Sequence, residues 1–455
     1  MAQTTSLPEA PRFSTPAGEI IGWRDGGVIR ATGIPYAHTR RFAPPEPLPP
    51  AARPIEATEW APACPQRPPP AFEYLLGTSL DELEQHEACT ALSICLPALE
   101  ASKPRAVMVW IHGGSYTMGA GDLGAHDPRP LAEEQGVIVV NLTYRLGIFG
   151  FVGGSRERPA NLGLLDIIAG LRWVKANIAA FGGDADNITL FGESAGGDAI
   201  AHLMVAEGTE TLFQRAIIQS APLGLTPGRP RMHAAMAKQG EAVDDSSSVR
   251  ACLDAQLAAE KAGQRYLPGG LMPFGVQYGR PPLPALKARD SILQQREYDL
   301  LIGYNRDEAA LFMNASPRLK RFFSLPLIGA PVKRALSERI TAGLYARASE
   351  RFARRHAASG GRSYLYRLHW CSGRTLRGAC HTIDLPLLFA GWAQWRRAAI
   401  IQGIGEAELN DCGRRTRALW ARFAREGALE ARGSLEGVLQ WERITGQKPS
   451  APAAD

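Results

Sequence analysis

Six short apolar runs punctuate the chain, at residues 106–111, 137–144, 187–191, 216–219, 300–303 and 364–368. Most are near-continuous rather than alternating. A strand covered by helices on both faces has no polar side to show, so such runs predict strands in the middle of a sheet. Between the second and third lies residues 164–180, where Leu164, Ile167, Ile168, Leu171, Val174 and Ile178 recur at helical spacing. Strand, helix, strand in that order predicts a largely parallel sheet with helices on both faces, the α/β class.

Elsewhere the pattern is weaker. Residues 44–54 and 65–70 are Pro-rich loops. From residue 223 to about 295 the chain shows only polar helical pieces, at 232–242 and 249–263, and then a Pro/Gly-rich stretch at 268–284. This region, and a second helical stretch at about 319–357, are expected to form a cap over the site rather than the sheet itself. No internal repeat is seen.

Composition narrows the class. Over 455 residues, 45% are hydrophobic and 21% charged, a globular balance. The 47 glycines and 34 prolines fit an α/β core with many loops. The net charge of +6 comes largely from Arg-rich helices, such as Arg351, Arg354 and Arg355 or Arg414, Arg415 and Arg417. Without interleaved aromatics or a nucleic-acid motif, these read as solvated faces, with His356 among them, and no nucleic-acid partner is expected. No run approaches the ~18 apolar residues of a membrane span. Residues 1–20 lack a basic segment followed by an apolar one, so no signal peptide is read and a cytoplasmic location is expected. Seven cysteines, an odd number, argue against a fully paired secreted scaffold. No Cys/His spacing suits zinc, and neither a metal nor an organic cofactor is expected.

The strongest chemical signal follows the third strand. There Gly192-Glu193-Ser194-Ala195-Gly196 gives a G-x-S-x-G pattern between a predicted strand and a predicted helix. A nucleophile on so sharp a turn sits in a strained conformation, and side chains two residues either side would collide, hence the glycines. The turn raises Ser194 Oγ above the sheet and aims the N–H of Ala195, at a helix N-terminus, at a developing oxyanion. The first strand ends in His112-Gly113-Gly114-Ser115, an HGGG-like loop with Ser115 in the third glycine position. The N–H groups of Gly114 and Ser115 would join that of Ala195 in a three-donor oxyanion hole. His112 reads as a loop-shaping residue.

A base and an acid should follow Ser194 in the chain. His381, in a loop beyond the 364–368 strand, is the expected base, because sheet enzymes hold their catalytic groups past the carboxyl ends of strands. His202, His233, His356 and His369 fit less well. The acid should lie at the exit of the 300–303 strand, where Asp307 and Glu308 stand side by side; pattern alone does not separate them.

With these residues placed, the chain resembles the type-B carboxylesterase family, which includes bacterial p-nitrobenzyl esterases and the cholinesterases. The resemblance rests on GIPYA at 33–37, RF at 41–42, VMVWIHGG at 107–114, NLTYRLGIFGF at 141–151, the long stretch from NLGLLD at 161 to GESAGG at 197, IIQSAP at 217–222, GYNRDEA at 303–309, GACHTIDLPLLF at 378–389 and LWARFAREG at 419–427. It implies a single α/β-hydrolase domain over residues 1–455, and Ser194, Glu308 and His381 as a catalytic triad, with Glu308 preferred because the family's acid is the second carboxylate of the pair. It implies ion pairs Arg41–Glu87 and Arg145–Asp166, and it allows a disulfide between Cys64 and Cys89. Glu193 and Gly113 are expected to support the triad from behind, and Ser220 to lie near it.

The sequence also departs from the family. The usual DCLYLNVW reads ACTALSIC at 88–95, and residues 64–89 contain Phe72 and Tyr74 but no Trp. A quaternary-ammonium platform is therefore not expected, and a choline ester is an unfavoured substrate. The implied activity is hydrolysis of a small-molecule carboxylic ester through an acyl-enzyme. An amidase, carbamate hydrolase or lipase with the same triad, and a catalytically idle binding protein of the same fold, are the alternatives. The oligomeric state, monomer or dimer, is not legible.

Overall fold

The computed structural model describes residues 9–154, 158–225, 228–293, 295–314, 321, 323–325, 328–372 and 377–446. Its frame is one sheet of eleven strands. In chain order these are β1 (Trp23–Asp25), β2 (Val28–Pro35), β3 (Ala91–Pro97), β4 (Arg105–Ile111), β5 (Ile138–Leu142), β6 (Gly183–Glu193), β7 (Arg215–Gln219), β8 (Asp299–Asn305), β9 (Arg362–Leu368), β10 (Arg432–Leu435) and β11 (Leu439–Ile444). Across the sheet the order is β10-β11-β9-β8-β7-β6-β4-β5-β3-β2-β1.

All six predicted runs are strands, and they form the parallel centre, from β5 through β9. The reason for their unbroken hydrophobicity is visible in β4. Val107, Val109 and Ile111 belong to the core on one face, and Ala106, Met108 and Trp110 to the core on the other. Both faces are covered, so both sets of alternating positions must be apolar.

The longer helices are α1 (Leu162–Asn177), α2 (Ala195–Leu203), α3 (Pro230–Gly240), α4 (Val249–Gly263), α5 (Gly329–Thr341), α6 (Arg347–Ala358) and α7 (Glu406–Glu426), of which α1, α2, α6 and α7 pack on the strands. Ile167, Ile168, Leu171 and Val174 of α1 and Ile200 and Leu203 of α2 lie in the first core. Leu419, Trp420, Phe423 and Ala424 of α7 lie in the second.

The flanks differ from a largely parallel reading. β3, β2 and β1 on one side and β11 and β10 on the other are antiparallel, so the whole sheet is mixed. These strands escaped the run pattern for two reasons. β10 and β11 alternate or nearly so, as strands at a sheet margin do. β3 is buried throughout but carries Ser93, whose hydroxyl is satisfied inside the protein by the Asp122 carboxylate.

Two helical pieces predicted at 232–242 and 249–263 are α3 and α4, which pack on each other. Part of the 319–357 stretch lies outside the described residues; the rest is α5, a π-helical turn at Ala342–Ala346, and α6. His356 is a correction. It is fully buried, with Nδ1 2.7 Å from Ser363 Oγ. On α6, Phe352, Ala353 and His356 face the sheet while Arg351 and Arg355 face out, so the amphipathic period and not the local charge decides the orientation. No helix among the described residues is long and apolar enough to cross a membrane.

Candidate active site

Parallel strands all end at the same edge of the sheet, and four of them deliver candidate site residues there. β4 runs into residues 112–115, β6 into Ser194, β8 into Glu308, and the loop beyond β9 carries His381. Residues separated by 267 positions, from Gly114 to His381, are thereby brought together.

Ser194 has φ 57° and ψ −122°, between the end of β6 and the start of α2. Its N–H donates to Gln219 O at 2.9 Å, tying the turn to β7. A methyl group on Gly196 would meet Ile111 O at 1.9 Å, and one on Gly192 would meet it at 2.6 Å. The glycines at these positions are thus demanded by the passage of β4 against the turn.

Ser194 Oγ lies 2.8 Å from His381 Nε2, and His381 Nδ1 lies 2.6 Å from Glu308 Oε2. The other Glu308 oxygen accepts the Asn305 N–H at 2.7 Å. Asp307 points elsewhere. It accepts the Ala379 N–H at 2.8 Å and pairs with Arg306 at 2.9 Å, so it joins the loop of Glu308 to the loop of His381. Glu193 Oε1 is 3.3 Å from His381 Nε2. Ser194, His381, Glu308 and Glu193 are all buried. Burial pulls the His381 pKa down, but the charges of Glu193 and Glu308 outweigh it and hold it above the ordinary histidine value. Burial pushes the Glu193 carboxyl well up, against the opposing pull of His381.

The glycine loop abuts Ser194. A methyl on Gly113 would meet Glu193 O at 2.7 Å and Ser194 Cβ at 3.1 Å. Gly114, Ser115 and Tyr116 have φ of 107°, 56° and 61°. His112 is fully buried, its Nδ1 is 2.8 Å from Gly113 O, and burial pushes its pKa down to about 3. It shapes the loop and is not poised as a base.

Ser220 is buried next to Gln219, but its hydroxyl makes no hydrogen bond among the described residues, so the structure does not bring it into the Ser194–His381–Glu308 chain. Cys64 and Cys89 are both free and fully buried. The allowed disulfide is not formed here: the neighbouring Cys64 thiol and burial push the Cys89 thiol well up. Arg41 reaches Glu87 at 2.8 Å, and Arg145 reaches Asp166 at 2.8 and 2.7 Å.

Sequence reading missed the residues that support this geometry from neighbouring elements. Asp384 accepts from Gln219 Nε2 at 2.5 Å and lies 3.4 Å from Asn305 Nδ2. The rings of Phe312 and Tyr345 flank His381, with centroids at 5.3 and 5.5 Å. Asp384 follows His381 by three residues and could have been weighed; Tyr345, on a π-helical turn 36 residues before the imidazole, carries no local signal.

The model of the carboxylesterase family matches residues 9–323. The chain belongs to the carboxylesterase family. A probable N-octanoylanthranilate hydrolase of Rhodococcus erythropolis is 34% identical over 427 residues, spanning 91% of this chain and 93% of the relative. The para-nitrobenzyl esterase of Bacillus subtilis (strain 168) is 44% identical over 215 residues, 46% of this chain and 43% of that protein. An acetylcholinesterase of Bungarus fasciatus is 34% identical over 330 residues, 66% of this chain and 54% of that one. Among solved structures, a thermophilic PNB esterase superposes with a TM-score of 0.75 at 29% identity over 93% of both chains. The fold of this family member is the α/β-hydrolase fold, and its class is carboxylic-ester hydrolase.

Proposed function

We propose that Ser194, His381 and Glu308 hydrolyse small carboxylic esters by two-step acyl transfer. The observation that carries this reading is the continuous chain from Ser194 Oγ through the imidazole to Glu308, at 2.8 and 2.6 Å. Neutral His381 takes the Ser194 proton on Nε2 as Oγ attacks the ester carbonyl. Glu308 keeps the proton on Nδ1, so that Nε2 presents its lone pair, and it stabilises the imidazolium that forms. The carbonyl oxygen, now an oxyanion, accepts from the N–H groups of Gly114, Ser115 and Ala195; loss of one such donor typically costs about 3 kcal/mol in the transition state. The imidazolium then protonates the leaving alkoxide as the C–O bond breaks. Water attacks the acyl-enzyme by the same route and releases the acid. Glu193 and Gly113 support the triad from beside it.

A second substrate class has a specific support. The R. erythropolis relative, which aligns over nine-tenths of this chain, is named for an N-acyl substrate, and the same machinery cleaves an amide if His381 protonates a departing amine. Helices α3 and α4, in the 223–295 region, are proposed to cap the site within a single domain, a reading supported by one sheet drawing strands from residue 23 to residue 444. A reducing compartment such as the cytoplasm is proposed because all seven cysteines are free.

The test is hydrolysis of p-nitrophenyl acetate, butyrate and palmitate, with the matching anilides, by wild type and Ser194→Ala. Ester turnover by wild type and none by the variant is expected. Equal turnover by both overturns the assignment of Ser194, activity on palmitate alone favours a lipase, and faster anilide cleavage favours the amide reading.

A further inference from the structure

We infer that Asp198 and Tyr116 form a buried brace that positions the oxyanion loop, so that the helix carrying one N–H donor also fixes the other two. This rests on the reading of Gly114, Ser115 and Ala195 as the donors.

Three consecutive residues of the loop, Gly114, Ser115 and Tyr116, lie in the left-handed region, and two of them are not glycine. L-residues rarely adopt this conformation without surrounding contacts that impose it. Tyr116 supplies those contacts. It is fully buried, its carbonyl accepts the Gly147 N–H at 2.6 Å, and its ring packs on Phe151 with centroids 4.4 Å apart. Its hydroxyl donates to Asp198 Oδ2 at 2.8 Å.

Asp198 is fully buried in the first turn of α2. Its backbone N–H donates to Ser194 O at 2.9 Å. One residue is therefore bonded through its backbone to the nucleophile and through its side chain to the loop opposite. The same helix begins at Ala195, the third donor. The distance between the two halves of the oxyanion hole is thus set through Asp198.

Further polar groups lie around the carboxylate. His202 Nε2, one turn along α2, lies 3.4 Å from the same oxygen, and His202 Nδ1 lies 2.8 Å from Tyr278 Oη. Arg229, also buried, contributes a compensating positive charge that acts on both Asp198 and Tyr116. An apolar pair would fill the space between loop and helix without the desolvation that a buried carboxylate suffers. What the polar pair adds is direction: a hydrogen bond fixes one loop position where apolar packing tolerates several.

The experiment compares wild type, Tyr116→Phe, the double variant Tyr116→Phe/Asp198→Leu and Ser194→Ala. Three readouts are taken: kcat and KM for p-nitrophenyl butyrate, Ki for an alkyl trifluoromethyl ketone that adds to serine and places an oxyanion in the hole, and Tm. Tyr116→Phe is expected to lower kcat by about 10- to 100-fold and raise Ki in parallel, with KM within about twofold. The double variant leaves no stranded carboxylate but takes from Arg229 its compensating charge, so it is expected to lower Tm while still folding at assay temperature and to keep the same losses. Wild-type kcat and Ki in either folded variant overturn the brace. An active Ser194→Ala overturns the hydrolytic reading itself, whereas an inactive Ser194→Ala beside a fully active Tyr116→Phe overturns only the brace.

Discussion

Replacing Glu308 with Gln tests the acid through a hydrogen-bond conflict that the structure defines. As a carboxylate, Glu308 accepts twice, from Asn305 N–H at 2.7 Å and from His381 Nδ1–H at 2.6 Å. A glutamine has one acceptor and one donor end. If its oxygen meets Asn305, its NH2 faces Nδ1, which must then give up its proton; the proton moves to Nε2, and the base can no longer accept from Ser194. If its oxygen meets His381, the NH2 is set against the Asn305 N–H in a buried site, at about 1–3 kcal/mol. The conflict therefore favours the wrong tautomer, and the charge that stabilised the imidazolium is gone as well. A loss of roughly 10³- to 10⁴-fold in kcat follows, or about 4–5.5 kcal/mol. Asp307→Asn is the control. Its amide oxygen still accepts the Ala379 N–H, and its nitrogen can turn away, so a loss under about tenfold is expected. The assay is steady-state hydrolysis of p-nitrophenyl butyrate. A larger loss in Asp307→Asn than in Glu308→Gln, or a Glu308→Gln enzyme within tenfold of wild type, would refute the reasoning.

Two further outcomes follow from the same geometry. Because His381 must be neutral to act as a base and its pKa is raised by Glu193 and Glu308, kcat/KM should rise with pH through a value above the ordinary ~6.5 of histidine. Glu193→Gln removes one of the raising charges and should move that limb to lower pH; an unmoved limb in the pH–rate profile counts against a charged Glu193. Arg145→Met strands Asp166, a fully buried carboxylate, and should cost about 3–5 kcal/mol in urea unfolding followed by circular dichroism. Arg145→Met/Asp166→Leu should cost much less, and equal losses would show that packing rather than charge is at stake.

The centre of this fold and the order of its proposed catalytic elements are legible in the sequence because they obey local rules. A strand buried on both faces must be apolar throughout, as β4 and β5 are. A residue on so sharp a strand-to-helix turn needs glycine two positions either side, as Ser194 has in Gly192 and Gly196. The antiparallel flanks obey no such rule: Ser93 interrupts β3 and finds its partner, Asp122, in a loop 29 residues on, and β11 shows polar residues to solvent on one side. Charge misled at His356, because the face a helix presents depends on what it packs against.

Chain order and motif thus determined that Ser194 meets a histidine and a carboxylate beyond it. Residue pattern left Asp307 and Glu308 open and only the family resemblance preferred Glu308; the direction in which each carboxylate points, the contact of Glu193 with the imidazole and the Tyr116–Asp198 hydrogen bond were decided in three dimensions. Each is a matter of which way a side chain points at the end of a strand or along a helix. Neighbouring residues with the same chemistry differ in that respect only when distant segments are packed around them.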